Sequence, residues 1–129
     1  MYKRKNRFMT YKERYFYNVL KELEMENNII IQPQINLTTV INKKPHTKYY
    51  NDLYRNIDFG IFSNNYEKLL LLIEINDKSH NLEERKKRDK KVKKIVNQAG
   101  INLITFHTKD PNEKKYIKER VIKEINIQK

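Results

Sequence analysis

The sequence predicts an α/β fold built on a mixed sheet of about four strands, with helices on both faces. Two strand-like runs, residues 56–62 and 69–76, flank a polar, turn-rich segment and predict an antiparallel hairpin. A helical stretch, residues 81–99, then leads to another strand at residues 102–106. Such a helical crossover joins strands that lie parallel, with right-handed connectivity. With a helix at each end of the chain, the predicted order is α-β-β-β-α-β-α.

The first helix is predicted to begin at a capping box. Thr10 and Glu13 have the spacing at which each side chain accepts a hydrogen bond from the other residue's backbone amide. The apolar stripe that follows runs to about residue 26 and consists of Phe16, Leu20 and Leu23. Glu13 lies on the same stripe, which leaves two interpretations open. Either it only caps the helix, or it is a third carboxylate near the site described below.

Residues 29–37 are predicted to form a strand, in which Pro33 favours an edge position or a β-bulge. Residues 38–55 are expected to form a loop or a short helical turn. This loop mixes cations, which hold phosphates, with tyrosines, which stack on bases. Its candidate nucleic-acid-binding residues are Lys43, Lys44, Lys48, Tyr49 and Tyr50. The alternative is an ordinary polar loop with a few packing tyrosines.

The helix after the hairpin is predicted to start at Asn81 and to stop at Gly100. Its inward stripe is predicted to be Leu82, Arg85, Asp89, Val92, Val96 and Ala99. Its outer lysines, which either are simply solvated or follow a phosphate backbone, include Lys86, Lys87, Lys90 and Lys91. The last helix, residues 112–126, is predicted to turn inward Tyr116, Ile117, Val121 and Ile125.

Each strand of the predicted hairpin carries one carboxylate within an apolar run, Asp58 in the first and Glu74 in the second. Alternate residues of a strand share a face, so Asp58 lies with Gly60 and Glu74 lies with Asn76 and Lys78. Gly60 has no side chain and is expected to leave room beside Asp58. If the two faces coincide, both carboxylates point into one space. A buried carboxylate is expected to be paired, protonated or bound to a metal. Two carboxylates aimed at one point are how a protein binds a hard divalent cation with oxygen ligands.

Composition restricts the classes of function that fit the chain. Its 129 residues suit a single domain, residues 10–129, preceded by a basic arm at residues 1–9. The absence of cysteine excludes disulfides and thiolate metal sites, and no apolar window is long enough for a membrane span. A cytoplasmic location is therefore expected.

The charge distribution favours a polyanionic partner. The net charge is +12, yet residues 56–80 hold only two Lys/Arg against four Asp/Glu. Basic flanks around a locally acidic centre suit a nucleic acid held over bound cations. The alternative is a lysine-rich surface that only keeps the protein in solution.

The ordered motifs of this chain resemble the PD-(D/E)XK nuclease superfamily. Within it, they are similar to a small bacterial domain of unknown function related to very-short-patch-repair endonucleases. The matching pieces are Thr10-x-x-Glu13-x-x-Phe16-Tyr17-x-x-Leu20, Gln34-Ile-Asn-Leu37, Ile57-Asp58-Phe59, Ile73-Glu74-Ile75-Asn76-Asp77-Lys78-Ser79-His80, Arg88-Asp89 and Ala99-Gly100-Ile101. The resemblance implies a restriction-endonuclease-like three-layer fold. It also implies that Asp58 and Glu74 hold Mg²⁺, for which Mn²⁺ can substitute, with assistance from Glu13.

The chain departs from the superfamily pattern at Asn76, which stands two residues after Glu74 where a lysine is usual. Lys78 on the same strand face, or Arg85 or Lys93 from the following helix, is expected to supply the missing positive charge. His80 is expected to act as a general base, to orient a ligand, or only to end the strand.

Arg85 and Asp89 are four residues apart, so they are expected to pair beside the site.

The resemblance implies a metal-dependent DNA endonuclease. Two other interpretations remain open at this point. One is a nucleic-acid-binding module that keeps the nuclease-like fold but cuts weakly or not at all. The other is a structural interaction protein in which the carboxylates only form salt bridges. Cutting both strands of a duplex would require a homodimer or a partner protein.

Overall fold

The computed structural model describes residues 1–42, 55–76 and 83–128. The elements are α1 (Tyr11–Glu26), β1 (Ile29–Asn36), a 3₁₀ turn (Leu37–Thr39), β2 (Asn56–Ser63), β3 (Leu69–Asn76), α2 (Glu83–Gln98), β4 (Leu103–His107) and α3 (Lys114–Gln128). One sheet has the strand order β1-β2-β3-β4, antiparallel through β3 and parallel between β3 and β4. The predicted α/β class and element order are confirmed. None of the described helices has the length and apolar character needed to cross a membrane.

Helices cover both faces of the sheet and create two apolar clusters. The larger cluster joins α1 and α3 to the sheet through side chains such as Leu20, Phe59 and Val121, all of which are buried. The smaller cluster packs Val92 of α2 against Leu72 and other buried residues of the sheet. The fold therefore has three layers. Helices α1 and α3 form the first layer, the sheet forms the second, and α2 forms the third.

The edge strand β1 changes the face that it presents part way along its length. Gln34 has φ 57°, in the left-handed region of backbone conformation that residues other than glycine rarely adopt. Ile31, before it, belongs to the α1/α3 cluster, whereas Ile35, after it, belongs to the α2 cluster. Pro33 does lie on an edge strand, as predicted.

The expected room beside Asp58 is not there. A Cβ placed on Gly60 would clash with the Cδ1 atom of Ile35, which fills the space above the glycine. Gly60 therefore lets the Ile35 side chain pack across β2, and the prediction of an open space at this position is wrong. The error arises because the left-handed Gln34 turns Ile35 toward the α2 face.

Helix α2 ends in a Schellman motif. Gly100 has φ 74° and donates from its amide to the carbonyl of Asn97, while the amide of Ile101 donates to the carbonyl of Val96 at 2.9 Å. The predicted stop at Gly100 is confirmed. The predicted inward position of Ala99 is wrong, because this residue lies past the end of the helix and is exposed.

The buried face of α2 consists of Val92, Ile95 and Val96, so Ile95 is an addition to the predicted stripe. The predicted N-cap residue, Asn81, and the stripe residue Leu82 lie outside the described residues.

The inward face of α3 is largely as predicted. Ile117, Val121 and Ile125 are buried. Tyr116 is 46% exposed, and its ring meets the edge of Phe106 with the ring centroids 6.2 Å apart. The prediction that Tyr116 faces inward is therefore wrong, because this residue is exposed beside the buried stripe of α3.

Candidate active site

The two predicted metal ligands lie at the same end of the sheet. Asp58 is the third residue of β2, and Glu74 is the third from the end of β3. The antiparallel register pairs Phe59 with Ile73, which brings the preceding Asp58 opposite Glu74. Asp58 Oδ2 accepts a hydrogen bond from the backbone amide of Ile75 at 2.7 Å. The Asp58 side chain is therefore fixed against β3, beside Glu74.

Both carboxylates bind a proton more tightly than they would in water. Burial raises the pKa of Glu74 to about 7, the charge of Asp58 adds to this rise, and Arg55 opposes it. Burial likewise raises the pKa of Asp58 to about 6; the Ile75 amide opposes this rise, whereas a hydrogen bond and the charge of Glu13 reinforce it. At neutral pH the site therefore carries more negative charge than its surroundings stabilise.

The Glu74 carboxylate is incompletely satisfied. Its side chain is 17% exposed, and Oε2 lies 3.6 Å from an amino nitrogen of Arg55. Oε1 is buried and has no hydrogen-bond partner within the described part of the chain. Buried carboxylate oxygens are normally paired, and an unpaired one is costly. Within the described residues, Glu74 Oε1 therefore lacks the hydrogen-bond donor or cation that a buried carboxylate oxygen requires.

Arg55 is a member of the site that sequence reasoning did not assign to it. Besides the contact with Glu74, its other amino nitrogen lies 2.9 Å from Asp89 Oδ1, so it bridges β3 and α2. In the sequence, Arg55 is one of several cations in the predicted loop of residues 38–55. The signal that was overlooked is its position, one residue before β2 and three before Asp58.

Asp89 therefore contacts a cation beside the site, and within the described residues that cation is Arg55. The side chain of Arg85, the expected partner of Asp89, lies outside the described residues.

Glu13 has both of the roles considered for it. The Thr10 amide donates to Glu13 Oε1 at 2.9 Å, and the Glu13 amide donates to Thr10 Oγ1 at 3.1 Å, which confirms the capping box. The same carboxylate lines the groove that holds Asp58 and Glu74, where it adds to the effect of burial in raising the pKa of Asp58. The N-terminal turn of α1 thus brings a third acidic group to the edge of the site.

Two cavities adjoin the carboxylates. An open groove of about 560 Å³ has among its lining residues Lys12, Glu13, Arg55, Asp58, Glu74 and Thr108. A smaller cavity of about 100 Å³ lies on the α2 side of the sheet, and Glu74, Asn76, Asp89 and Lys93 are among its lining residues. Asn76 and Lys93 therefore border the same cavity as Glu74, and the role expected of Lys93 stays a prediction.

The candidate DNA-binding lysines of α2 point into solvent, since Lys86, Lys87, Lys90 and Lys91 are all exposed. The loop candidates Lys43, Lys44, Lys48, Tyr49 and Tyr50 lie outside the described residues. So do Lys78 and His80, and their predicted roles stay predictions.

The carboxylate oxygens of Asp58 and Glu74 fit a hard divalent cation that keeps some of its water ligands. Within residues 1–42, 55–76 and 83–128, no group of three or more His, Cys, Asp or Glu side chains is arranged to hold a metal by itself. Mg²⁺ commonly binds through one or two carboxylates, with waters and substrate phosphate oxygens completing its octahedron. Asp58 and Glu74, the latter with an unpaired oxygen, match that requirement.

Comparison with known proteins gives a family but no activity. Residues 5–125 match the family model described as "Protein of unknown function (DUF2726)". No curated protein and no solved structure matches the chain.

Proposed function

The chain belongs to the family described as "Protein of unknown function (DUF2726)", and we propose that it is a Mg²⁺-dependent nuclease of the PD-(D/E)XK type. Its expected reaction is the hydrolysis of phosphodiester bonds in DNA. The observation that carries this proposal is the pair of carboxylates, Asp58 and Glu74, which lie opposite each other and which burial and neighbouring carboxylates hold at raised pKa values. They lie in a groove on a protein of net charge +12, which suits a polyanionic substrate.

In this proposal Asp58 and Glu74 hold the metal, and neighbouring groups of the protein contact both carboxylates. The Ile75 amide fixes the orientation of Asp58, and an amino nitrogen of Arg55 lies 3.6 Å from Glu74 Oε2. Mg²⁺, when bound, would lower the pKa of the attacking water and offset the negative charge that develops on the phosphate. The repulsion between the two carboxylates makes the empty site less stable, and this favours cation binding.

Among the three cations expected to act in place of the lysine that Asn76 replaces, Lys93 is the one whose side chain the structure describes. Both residues line the small cavity beside Glu74. Lys93→Gln is expected to lower the cleavage rate on the order of 100-fold, as when one donor to a developing oxyanion is removed. The affinity for Mg²⁺, measured by calorimetry, should change little because Lys93 is not a ligand.

The matched control for Lys93→Gln is Lys123→Gln, at an exposed lysine of α3 that has no assigned part in DNA binding. Equal cleavage rates for the two variants would show that Lys93 has no part in the reaction. That result would leave the role to Lys78 or Arg85, the other two cations expected to supply the missing positive charge.

The exposed lysines of α2 are expected to contribute to DNA affinity through counterion release. Changing the four residues Lys86, Lys87, Lys90 and Lys91 to Gln should flatten the dependence of log K on log salt, by roughly 0.9 for each lysine that contacts a phosphate. Fluorescence anisotropy at several salt concentrations measures this slope. An unchanged slope would mean that this face of α2 points away from the DNA.

One observation favours a second function, a nucleic-acid-binding module without efficient catalysis. Arg55 already partly neutralises Glu74, and Asn76 stands where the catalytic lysine is usual. Titration of the purified protein with Mg²⁺ or Mn²⁺, together with plasmid nicking, separates the two functions. Metal binding with nicking supports the nuclease, and metal and DNA binding without nicking supports the module. Absence of both metal and DNA binding would refute the nuclease and the module alike.

A further inference from the structure

We propose that the surface next to the carboxylates binds an unstacked base, so that the substrate is DNA with a single-stranded segment. This inference rests on the proposed function and names its substrate class. The surface, called here the aromatic platform, consists of Arg7, Phe8, Tyr11 and Tyr15.

Tyr11 is the centre of the platform. It is the first residue of α1, and its side chain is 72% exposed. The guanidinium carbon of Arg7 lies 3.9 Å from the centroid of the Tyr11 ring, and an Arg7 nitrogen donates to the Tyr11 hydroxyl at 2.7 Å. These two contacts hold the ring in place and cover one of its faces with a cation. An exposed aromatic ring fixed in this way loses little rotational freedom when a base stacks on it.

The position of Tyr11 connects it with the proposed chemistry. Tyr11 lines the groove that contains Asp58 and Glu74. It also lines two neighbouring grooves. One, of about 630 Å³, is lined in part by Lys5, Arg7 and Phe8, and the other, of about 330 Å³, in part by Lys12 and Tyr15. A strand that crosses the three grooves would pass the carboxylates with Tyr11 beside them.

The charge of this region suits the backbone of such a strand. The first twelve residues hold five Lys/Arg and no Asp/Glu. Phe8 is 67% exposed and Tyr15 is 43% exposed, and the Tyr15 hydroxyl donates to the Asn112 carbonyl at 2.7 Å. Cations that follow phosphates, interleaved with rings that stack on bases, are characteristic of single-strand binding sites.

A purely duplex substrate explains these features less well. The bases of a duplex are stacked on one another and offer no free face to a protein ring, whereas lysines and arginines alone suffice to hold its backbone. Single exposed aromatic residues are common on protein surfaces. Three exposed aromatic rings and one arginine, which line three grooves that all share Tyr11 and of which one holds the carboxylates, require a more specific explanation.

The decisive experiment measures binding in chelator, so that it does not depend on cleavage. The probes are a fluorescein-labelled oligothymidylate and a blunt duplex of the same length, followed by fluorescence anisotropy. Tyr11→Ala should weaken binding of the single strand by about tenfold, the size expected from the loss of one base–aromatic stack. Binding of the duplex should not change. The salt slope should also stay as in the wild type, because stacking releases no counterions.

Two further variants control for indirect effects. Tyr11→Phe keeps the ring and should retain the affinity of the wild type. Tyr66→Ala removes a tyrosine of similar character, 53% exposed, in the loop between β2 and β3 at the opposite end of the hairpin, and it should bind both probes normally. Circular dichroism establishes that each variant is folded.

The aromatic platform is refuted if the wild type does not bind the single strand, or if Tyr11→Ala binds it normally or loses affinity for both probes equally. The failure of the nuclease proposal would look different. Single-strand binding that depends on Tyr11, in a protein that never cleaves DNA, would refute the nuclease and keep the platform. If Tyr11→Ala cleaves duplex DNA at the rate of the wild type and binds the single strand as tightly, the nuclease is supported and the platform is refuted.

Discussion

Glu74→Gln is expected to abolish metal-dependent cleavage while leaving the metal-free protein at least as stable as the wild type. The substitution keeps the shape of the side chain but removes a charge that burial and Asp58 destabilise. It does not leave Arg55 unpaired, because Arg55 also contacts Asp89 at 2.9 Å. Thermal melts in chelator should therefore give the variant an equal or higher midpoint. Added Mg²⁺ should raise the midpoint of the wild type and leave that of the variant unmoved.

The matched control is Glu67→Gln, at an exposed carboxylate in the loop between β2 and β3. It should behave as the wild type in both solutions. A site made only of salt bridges predicts the opposite pattern, since neutralising Glu74 would then cost stability. A lower midpoint for Glu74→Gln in chelator, together with no effect of Mg²⁺ on the wild type, would refute the metal site.

The same charges give the stability of the metal-free protein a definite pH dependence. The folded-state pKa values of Asp58 and Glu74, about 6 and about 7, lie above those of the unfolded chain. Raised carboxyl pKa values contribute stability that is fully present below about pH 4 and is lost as the pH rises through 6 and 7. The loss should be on the order of 2–4 kcal/mol for Glu74. Glu74→Gln should reduce this slope.

Arg55→Gln is expected to have the opposite effect on the metal-free protein. Arg55 is the described cation that contacts both Glu74 and Asp89, and its side chain is only 19% exposed. Removing one partner from such a cluster leaves charges unpaired, and a loss on the order of 3 kcal/mol in the free energy of unfolding is expected near pH 8. Because Glu74 and Asp58 become protonated near pH 5, the loss should be smaller there.

Denaturant unfolding at pH 8 and pH 5, with and without Mg²⁺, measures the role of Arg55. Mg²⁺ should restore part of the stability of Arg55→Gln at pH 8, since a bound cation replaces some of the lost positive charge. Lys86→Gln, at an exposed lysine of α2, is the control for a change of net charge alone. A loss of the same size at both pH values would assign Arg55 a packing role only.

The parts of this fold that the sequence predicted are those encoded by neighbouring residues. The capping box of Thr10 and Glu13 acts within four residues, and Gly100 stops α2 by its own backbone conformation. The opposition of Asp58 and Glu74 follows from strand alternation and a short hairpin connection. Signals of this kind can be recognised in the chain without knowledge of the tertiary structure.

The parts that the sequence did not predict depend on residues that are distant in the chain. Arg55 looked like one loop cation among several, because its partner Asp89 is contributed by another layer of the fold. Gly60 appeared to leave an open space, because nothing near it in sequence indicates that Ile35 fills that space. These features became visible only when the three layers were assembled.

The conformation of β1 also affects how two copies of this protein could associate. An exposed edge strand usually invites another strand to extend the sheet, and proteins block this with proline and with local irregularities. Pro33 offers no amide hydrogen, and the left-handed Gln34 interrupts the regular pleat one residue later. Edge-to-edge addition across β1 is therefore disfavoured. A homodimer that cuts both strands of a duplex would have to form through a different surface.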